Sequence, residues 1–157
     1  MISIRRIQKH QVPLYRTIRL NALRNDQDAF ETRYEDAIKR TESYWEDLVY
    51  AFAESSEKCC FIAFDDEKPI GLISFYKYEN ESAGEIIQVW INKDYRGLGI
   101  IQQLMDGIFL WIKNHGISSV YAYVKETNLR AIKCYANYGF MRTDRQKNDE
   151  IQMLYSY

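Results

Sequence analysis

The stretch that most limits the fold is residues 85–124, where a strand-like run, a glycine turn, a helical run and a second strand-like run follow one another. The two outer runs are rich in β-branched and aromatic residues, and apolar residues recur at helical spacing after Gly99. Two strands joined through a helix need a crossover connection, which makes them parallel. We therefore expect a sheet that contains a pair of neighbouring parallel strands.

The segments before this unit predict one strand, helices and more strands. "ISIRRI" alternates apolar and charged residues, as a half-buried strand does, and residues 11–24 carry one apolar helical face. Further helical pieces follow, divided near Thr41. The β-rich runs "CCFIAFD", "PIGLISFYKY" and "GEIIQVWI" are separated by turn compositions, which indicates a three-stranded antiparallel meander.

After the unit, Asn128 can cap a short helix that ends before Gly139, and we expect the two final strands to form a hairpin across "RQKND". The predicted fold class is α/β (α+β), with a mixed sheet of about seven strands in the order β-α-α-β-β-β-α-β-α-β-β. The sequence contains no internal repeat or linker composition, so we expect a single domain over residues 1–157.

Charge and cysteine content exclude several classes of protein. Lys plus Arg number 21 and Asp plus Glu number 22, a balance that argues against a dedicated nucleic-acid binder. We find neither an apolar stretch long enough to cross a bilayer nor a signal peptide, so we expect no membrane association. Three cysteines, with Cys59 next to Cys60, fit no disulfide framework and indicate a reducing, cytoplasmic setting.

The segment "DYRGLGIIQQLM" is the first candidate binding feature. Gln102 stands where a dinucleotide-binding fingerprint needs glycine, and no Gly-Lys-Ser/Thr ending of a P-loop follows Gly99. A short glycine turn at a helix N-terminus, with Arg96 beside it, suits a pyrophosphate. The alternative is a plain strand-to-helix turn with a surface arginine, and this stretch alone does not decide between the two.

A second segment, "NLRAIKCYANYGF", bears on the choice between a pyrophosphate site and a plain turn. Together with "VWINKDYRGLGIIQQLM" it resembles the GNAT (Gcn5-related) N-acetyltransferase superfamily, strongly over residues 85–144 and more weakly in the N-terminal helices. Arg96 and Gly99 match the coenzyme motif Gln/Arg-x-x-Gly-x-Gly/Ala, and Ile101 departs from its last position. The downstream element is matched by Asn128, Ala131, Tyr135, Gly139 and Phe140.

The resemblance implies that the fourth strand, near Glu85–Ile91, splays from the fifth, near Ser119–Val124. The pantetheine arm of acetyl-CoA would lie in that gap, and the cofactor would be acetyl-CoA as co-substrate, with no metal. The implied coenzyme contacts are Val89, Trp90, Ile91, Arg96, Gly97, Leu98, Gly99, Ile100, Ile101, Asn128, Ala131 and Tyr135. At Ile101 we expect the amide to face the phosphates and the side chain to enter the core.

Tyr135 is the implied acid that protonates the departing thiolate. A tyrosine is protonated at neutral pH, and transfer to a thiol with reference pKa near 8.5 is uphill by about 2 kcal/mol. A core tyrosine is the alternative role, in a chain with 13 tyrosines. Asn128 likewise has two candidate roles, as a helix cap and as a coenzyme contact.

Glu85, at the start of the fourth strand, is the implied general base, because an amine of pKa near 10.4 must lose a proton before it attacks. A solvated charge beside a turn is the alternative. Glu31, Tyr34 and Glu35 lie in the helical region that usually borders the acceptor site in this superfamily. They are candidate substrate contacts, and a solvated helix face is the alternative there.

The resemblance implies acetyl transfer from acetyl-CoA to an amine of a small molecule or peptide, by direct attack in a ternary complex. A non-catalytic acetyl-CoA-binding sensor or interaction module is the alternative, and the presence of Tyr135 favours the enzyme. Relatives often form homodimers, so a homodimer is compatible with the resemblance, although no residue pattern specifies an interface.

Overall fold

The computed structural model describes residues 1–156, and these contain a seven-stranded mixed sheet. The strands lie in the spatial order β1-β2-β3-β4-β5-β7-β6. Their bounds are β1 Ile2–Arg6, β2 Lys58–Asp65, β3 Lys68–Lys77, β4 Ala83–Ile91, β5 Ser119–Lys125, β6 Met141–Lys147 and β7 Glu150–Ser156. The predicted antiparallel meander, the neighbouring parallel strands β4 and β5 and the C-terminal hairpin are confirmed.

The helices occur where the periodicity predicts them, although the helical piece before Thr41 forms only the single turn α2. The bounds are α1 Val12–Asn25, α2 Tyr34–Ala37, α3 Glu42–Glu54, α4 Ile100–Lys113 and α5 Leu129–Tyr138, and short 3₁₀ turns occupy Lys9–Gln11, Gln27–Ala29 and Lys93–Tyr95. Thr41 caps α3 by accepting a hydrogen bond from the N–H of Tyr44. None of the helices in residues 1–156 has the length and apolar character needed to span a bilayer.

Two apolar cores lie on opposite faces of the sheet. Helices α4 and α5 contribute to one core, and α1 and α3 contribute to the other. Adjacent strand residues point to opposite faces, and Cys59 and Cys60 accordingly belong one to each core. Both thiols are buried and unpaired, as expected of small apolar core residues.

Strand β4 contains a β-bulge that reverses its pattern of alternation. Ile86 belongs to the core under α4 and α5, whereas Trp90 belongs to the core under α1 and α3. In an uninterrupted strand, residues four apart would share a face. Between them, three residues of β4 oppose two of β3, and Gln88 takes a left-handed backbone conformation with φ of 58°. The bulge thus redirects the second half of β4.

Candidate active site

The site begins where β4 and β5 part. Their parallel pairing ends at Ile86 and Ala122, although both strands continue beyond those residues, and this confirms the expected splay. A cleft of about 850 Å³ opens there. Its lining includes Tyr135 from the core under α5 and Trp90 from the core under α1, so the cleft passes between the strands from one face of the sheet to the other.

The glycine turn forms one end of this cleft. Gly97 and Gly99 both line it, with left-handed φ values of 80° and 77° that favour glycine. Gly99 is the residue that precedes the first turn of α4. Backbone N–H groups in the first turn of a helix have no intrahelical acceptor, and those of residues 97–102 donate to no other backbone group among the described residues. The cleft thus ends in donors suited to an anion.

Arg96 stabilises this turn rather than extending into the cleft with a free side chain. Its Nε donates to the carbonyl of Ile91 at 3.0 Å, and its Nη2 forms an ion pair with Asp26 Oδ2 at 3.0 Å. The same carboxylate oxygen accepts a hydrogen bond from Trp90 Nε1 at 2.6 Å. Two of the five guanidinium donors are therefore used within the protein, and the other three remain for an anion at the cleft, which Arg96 lines.

The expected orientation of Ile101 is wrong. The residue that enters the core is Ile100, which is 2% exposed and packs with Leu104 and Ile108, whereas Ile101 is half-buried and lines the cleft. Ile100 and Ile101 both have helical spacing to the core residues of α4, so periodicity alone did not separate them. Both residues line the cleft, and Ile101 differs from Ile100 in that it is only half-buried and does not belong to the core under α4.

Tyr135 lies on α5 and is 7% exposed, with its side chain at the cleft. Its hydroxyl makes no hydrogen bond with any described residue, and its ring packs edge-on against Phe140. Burial raises the pKa of this phenol above its ordinary value, and Cys134 and then Glu85 raise it further. The hydroxyl is thus a protonated donor at neutral pH that has no acceptor within the described part of the protein.

Asn128 performs the capping role. Its side-chain oxygen accepts the N–H of Ala131 at 3.2 Å at the start of α5, and both residues line the cleft. The cap uses the carboxamide oxygen and leaves the carboxamide nitrogen as a donor. Capping and contact with a ligand are consequently compatible for this side chain.

Glu85 lines the cleft and is held by two tyrosines from β3 and the turn that follows it. Its Oε1 accepts hydrogen bonds from Tyr78 at 2.8 Å and from Tyr76 at 3.1 Å. Burial and then the carboxylate raise the pKa of Tyr76 to about 12, so this phenol is a neutral donor. Glu85 Oε2 makes no hydrogen bond with a described residue, and it is the oxygen that remains to accept a proton.

Of the three predicted substrate contacts, only Glu31 lines the cleft. There it lies against Glu150 of β7, and burial together with this second carboxyl raises the pKa of Glu150 to about 7. Tyr34 and Glu35 do not line the cleft, which contradicts their expected position. Glu35 is exposed and forms a surface ion pair with Arg33 at 3.5 Å, which fits the alternative of a solvated helix face.

Arg19 and Gln88 are among the cleft residues that sequence reasoning missed. Gln88 Oε1 accepts hydrogen bonds from Tyr15 at 2.8 Å and from Ser74 at 2.9 Å, which ties the bulge to α1 and β3. Arg19 is 5% exposed, and its Nη1 has no hydrogen-bond partner. A charged residue on the apolar face of α1 was the available signal for Arg19; a glutamine in the left-handed region gives none.

Most of the predicted site residues do converge. Leu98, whose side chain is 63% exposed, is the one predicted coenzyme contact that does not line the cleft. The predicted residues that line it are Glu31, Glu85, Val89, Trp90, Ile91, Arg96, Gly97, Gly99, Ile100, Ile101, Asn128, Ala131 and Tyr135.

A splayed mixed sheet, a bulged fourth strand and a glycine turn at the cleft define a class of protein. The model of the acetyltransferase (GNAT) family matches residues 20–140, and the chain belongs to that family. This confirms the resemblance found in the sequence.

Individual relatives are distant in sequence and similar in fold. Human N-acetyltransferase 8B is 23% identical over 116 residues, which cover 71% of this chain and 50% of the relative, so the chain matches about half of that protein. A GNAT-family acetyltransferase from Streptococcus pneumoniae superposes with a TM-score of 0.85 at 19% identity, with full coverage of both chains. The PaiA N-acetyltransferase of Thermoplasma acidophilum, solved with coenzyme A, has a TM-score of 0.83 at 17% identity, covering 100% of this chain and 99% of its own.

Proposed function

We propose that this protein is an acetyl-CoA-dependent N-acetyltransferase in which an amine attacks the thioester directly within a ternary complex. The observation that carries the proposal is the shared cleft: Glu85 and Tyr135 reach it from opposite faces of the sheet, where β4 and β5 separate. Membership of the acetyltransferase family and the coenzyme A complex of the Thermoplasma relative support the choice of co-substrate.

Different parts of the cleft would bind the pyrophosphate and the pantetheine arm of acetyl-CoA. The amides of residues 97–102 would hold the pyrophosphate, with α4 contributing the positive end of its dipole. The edge of β4 from Val89 to Ile91 faces the gap and offers backbone groups to the amides of a pantetheine arm, as an added strand would. This arrangement would place the thioester near the bulge at Gln88, between Glu85 and Tyr135.

In the proposed reaction Glu85 accepts a proton and Tyr135 donates one. Glu85 Oε2, directly or through a water molecule, takes the proton that the ammonium acceptor loses. The amine nitrogen then bonds to the thioester carbon, the carbon–sulfur bond breaks, and the sulfur accepts a hydrogen bond and then a proton from the Tyr135 hydroxyl. The second proton leaves the new amide nitrogen to solvent, and the proton on Glu85 returns through solvent to the Tyr135 phenolate, so both residues are restored and the reaction releases one proton overall.

The raised pKa of Tyr135 refines its role. Complete transfer to a thiolate is already uphill by about 2 kcal/mol with reference pKa values, and burial makes it more so. The stabilisation that Tyr135 supplies while the carbon–sulfur bond breaks is consequently a hydrogen bond that strengthens as negative charge develops on sulfur, and proton transfer follows it. The absence of a competing acceptor among the described residues keeps the hydroxyl available for that bond.

Two measurements on the purified protein test the proposal. Isothermal titration with acetyl-CoA should show one site, and a thiol-release assay over small amines, amino acids, polyamines and peptides should show acceptor-dependent release of coenzyme A. Glu85→Gln should lower this turnover and preserve binding of acetyl-CoA. Binding without turnover of any acceptor would contradict the enzymatic proposal and support a sensor module; no binding would contradict both.

A further inference from the structure

Arg19 is a buried cation at the cleft, and no carboxylate among the described residues forms an ion pair with it. The guanidinium lies 4.7 Å from the centre of the Phe30 ring, and both side chains line the cleft. It forms no ion pair or hydrogen bond with a described residue, and its Nη1 is buried without a partner. Because burying an unpaired charge costs free energy, a guanidinium of this kind needs an anion from elsewhere.

The groups around Arg19 do not supply the missing anion. Arg40, whose Nη1 donates to Tyr44 at 2.7 Å, lies near enough to disfavour the charged form of Arg19, and burial lowers the pKa of Arg19 more strongly still. The other neighbours are the hydroxyls of Tyr15 and Tyr44 and the thiol of Cys60, and none of these groups is a carboxylate. The surroundings of Arg19 thus add positive charge and supply no anion from the protein.

Its position favours the acceptor over the coenzyme. Arg19 follows Tyr15 by one turn of α1, and Tyr15 contacts the bulge residue Gln88. Strand alternation points Glu85 to the same face of the sheet, opposite to Ile86, whereas Tyr135 approaches from the face covered by α5. The glycine turn that would hold the pyrophosphate has its own donors at another part of the cleft.

We propose that Arg19 binds a carboxylate of the acceptor, so that the amine acetylated by this protein belongs to an amino-acid-like or peptide-like molecule. The planar fork of a guanidinium matches the two oxygens of a carboxylate, and Phe30 packs on its face. This inference rests on the proposed function, because it names the class of acceptor for the same cleft. The Glu31–Glu150 pair would favour a diamine instead, and the test separates these outcomes.

The experiment compares matched acceptors in the thiol-release assay. Dipeptides and ω-amino acids of increasing length are each paired with their C-terminal amides, which keep the amine and remove the carboxylate, and butane-1,4-diamine represents the diamines. For the wild type, at least one acid should have a kcat/KM tenfold or more above its amide, mainly through KM. Arg19→Met should reduce that ratio below twofold, and Arg19→Lys should give an intermediate ratio.

Arg24→Met is the matched control, because Arg24 is an exposed arginine on the same helix and does not line the cleft. It should keep the wild-type ratio, and thermal unfolding should show that Arg19→Met is folded. Equal rates for acids and amides, a preference for the diamine, or a ratio unchanged in Arg19→Met would overturn the inference.

If no acceptor is turned over, the proposed function fails and the inference is decided by binding. Titration of the same acid and amide pairs into the protein with coenzyme A then gives the answer. Tighter binding of the acid to the wild type, lost in Arg19→Met, supports a carboxylate site; equal binding of acid and amide overturns it.

Discussion

Tyr135 has a buried ring and a hydroxyl that is available to a ligand in the cleft. It is 7% exposed, and its hydroxyl has no acceptor among the described residues while facing a cleft large enough for a ligand. The hydroxyl oxygen is not among the fully buried atoms that lack a partner, so it reaches the open space of the cleft. A donor that faces this space is able to hydrogen-bond a ligand atom, and a developing thiolate is an acceptor of the required kind.

Tyr135→Phe should lower kcat by about 10²-fold, at the lower end of the range for general acids because a thiolate is already a good leaving group. Affinity for acetyl-CoA should change less than threefold, since the ring and its packing on Phe140 are kept. Steady-state kinetics and titration measure the two effects. Tyr138→Phe, on the same helix outside the cleft lining, is the control. Unchanged kcat in Tyr135→Phe would remove the residue from the acid role.

At the scale of elements, Asp26 joins three parts of the site. It follows the last residue of α1, and one of its oxygens accepts hydrogen bonds from Trp90 on β4 and from Arg96 before α4. Both partners of the Arg96–Asp26 ion pair are about one quarter exposed, at 27% and 28%. The pair is therefore better shielded from solvent than an ordinary surface ion pair, and it fixes the glycine turn relative to the bulged strand.

Removing that carboxylate should be costly. Asp26→Ala leaves the indole N–H and a half-buried guanidinium without their acceptor, so we expect a loss of about 2 kcal/mol in the free energy of unfolding. Urea denaturation measures it, with Asp28→Ala at a neighbouring exposed position as the control. Affinity for acetyl-CoA should also fall in Asp26→Ala, because the turn loses its anchor. A stability equal to that of the control would contradict this role.

The contact between Glu31 and Glu150, the first residue of β7 in the C-terminal hairpin, makes the free energy of unfolding depend on pH. The folded protein holds the Glu150 proton up to a pKa of about 7, above the ordinary carboxyl value, so the folded state binds more protons than the unfolded state between about pH 4.5 and pH 7. Folding stability from this group is fully present at lower pH and is lost as the pH rises through 7.

Glu150→Gln should remove that contribution. The wild type should lose stability relative to the variant between pH 5 and pH 8, and urea denaturation at both pH values gives the difference. The effect should be modest because Glu150 is partly solvated, which screens the charge. Exposed Glu79→Gln is the matched control and should follow the wild type. A wild type that gains stability over the variant as the pH rises would show that the carboxyl is not held protonated.

Across the whole molecule, sequence reasoning succeeded where the information is local. The glycines of the turn, the Asn128 cap and the strand–helix–strand crossover each depend on neighbouring residues, and all three are confirmed. It failed where position depends on distant elements. The contact between Glu150 and Glu31 depends on the order of the strands in the sheet. The half-buried position of Ile101 depends on where α4 starts relative to the cleft.

The central claim is that the turn before α4 binds acetyl-CoA, and a pair of glycine variants tests it. Gly99 and Gly116 lie at opposite ends of α4 with similar φ values of 77° and 69°, and a Cβ at either position meets no protein atom closer than 3.9 Å. Gly99→Ala and Gly116→Ala should thus lose similar stability, about 1 kcal/mol each from backbone strain. Of these two glycines, only Gly99 lines the cleft.

Isothermal titration of acetyl-CoA into the wild type and the two variants is the most direct measurement. The methyl group at position 99 would occupy the space where the phosphates approach the backbone, so we predict at least tenfold weaker binding, about 1.4 kcal/mol, for Gly99→Ala. Gly116→Ala should bind as the wild type does. Equal affinities of the two variants for acetyl-CoA would contradict the account.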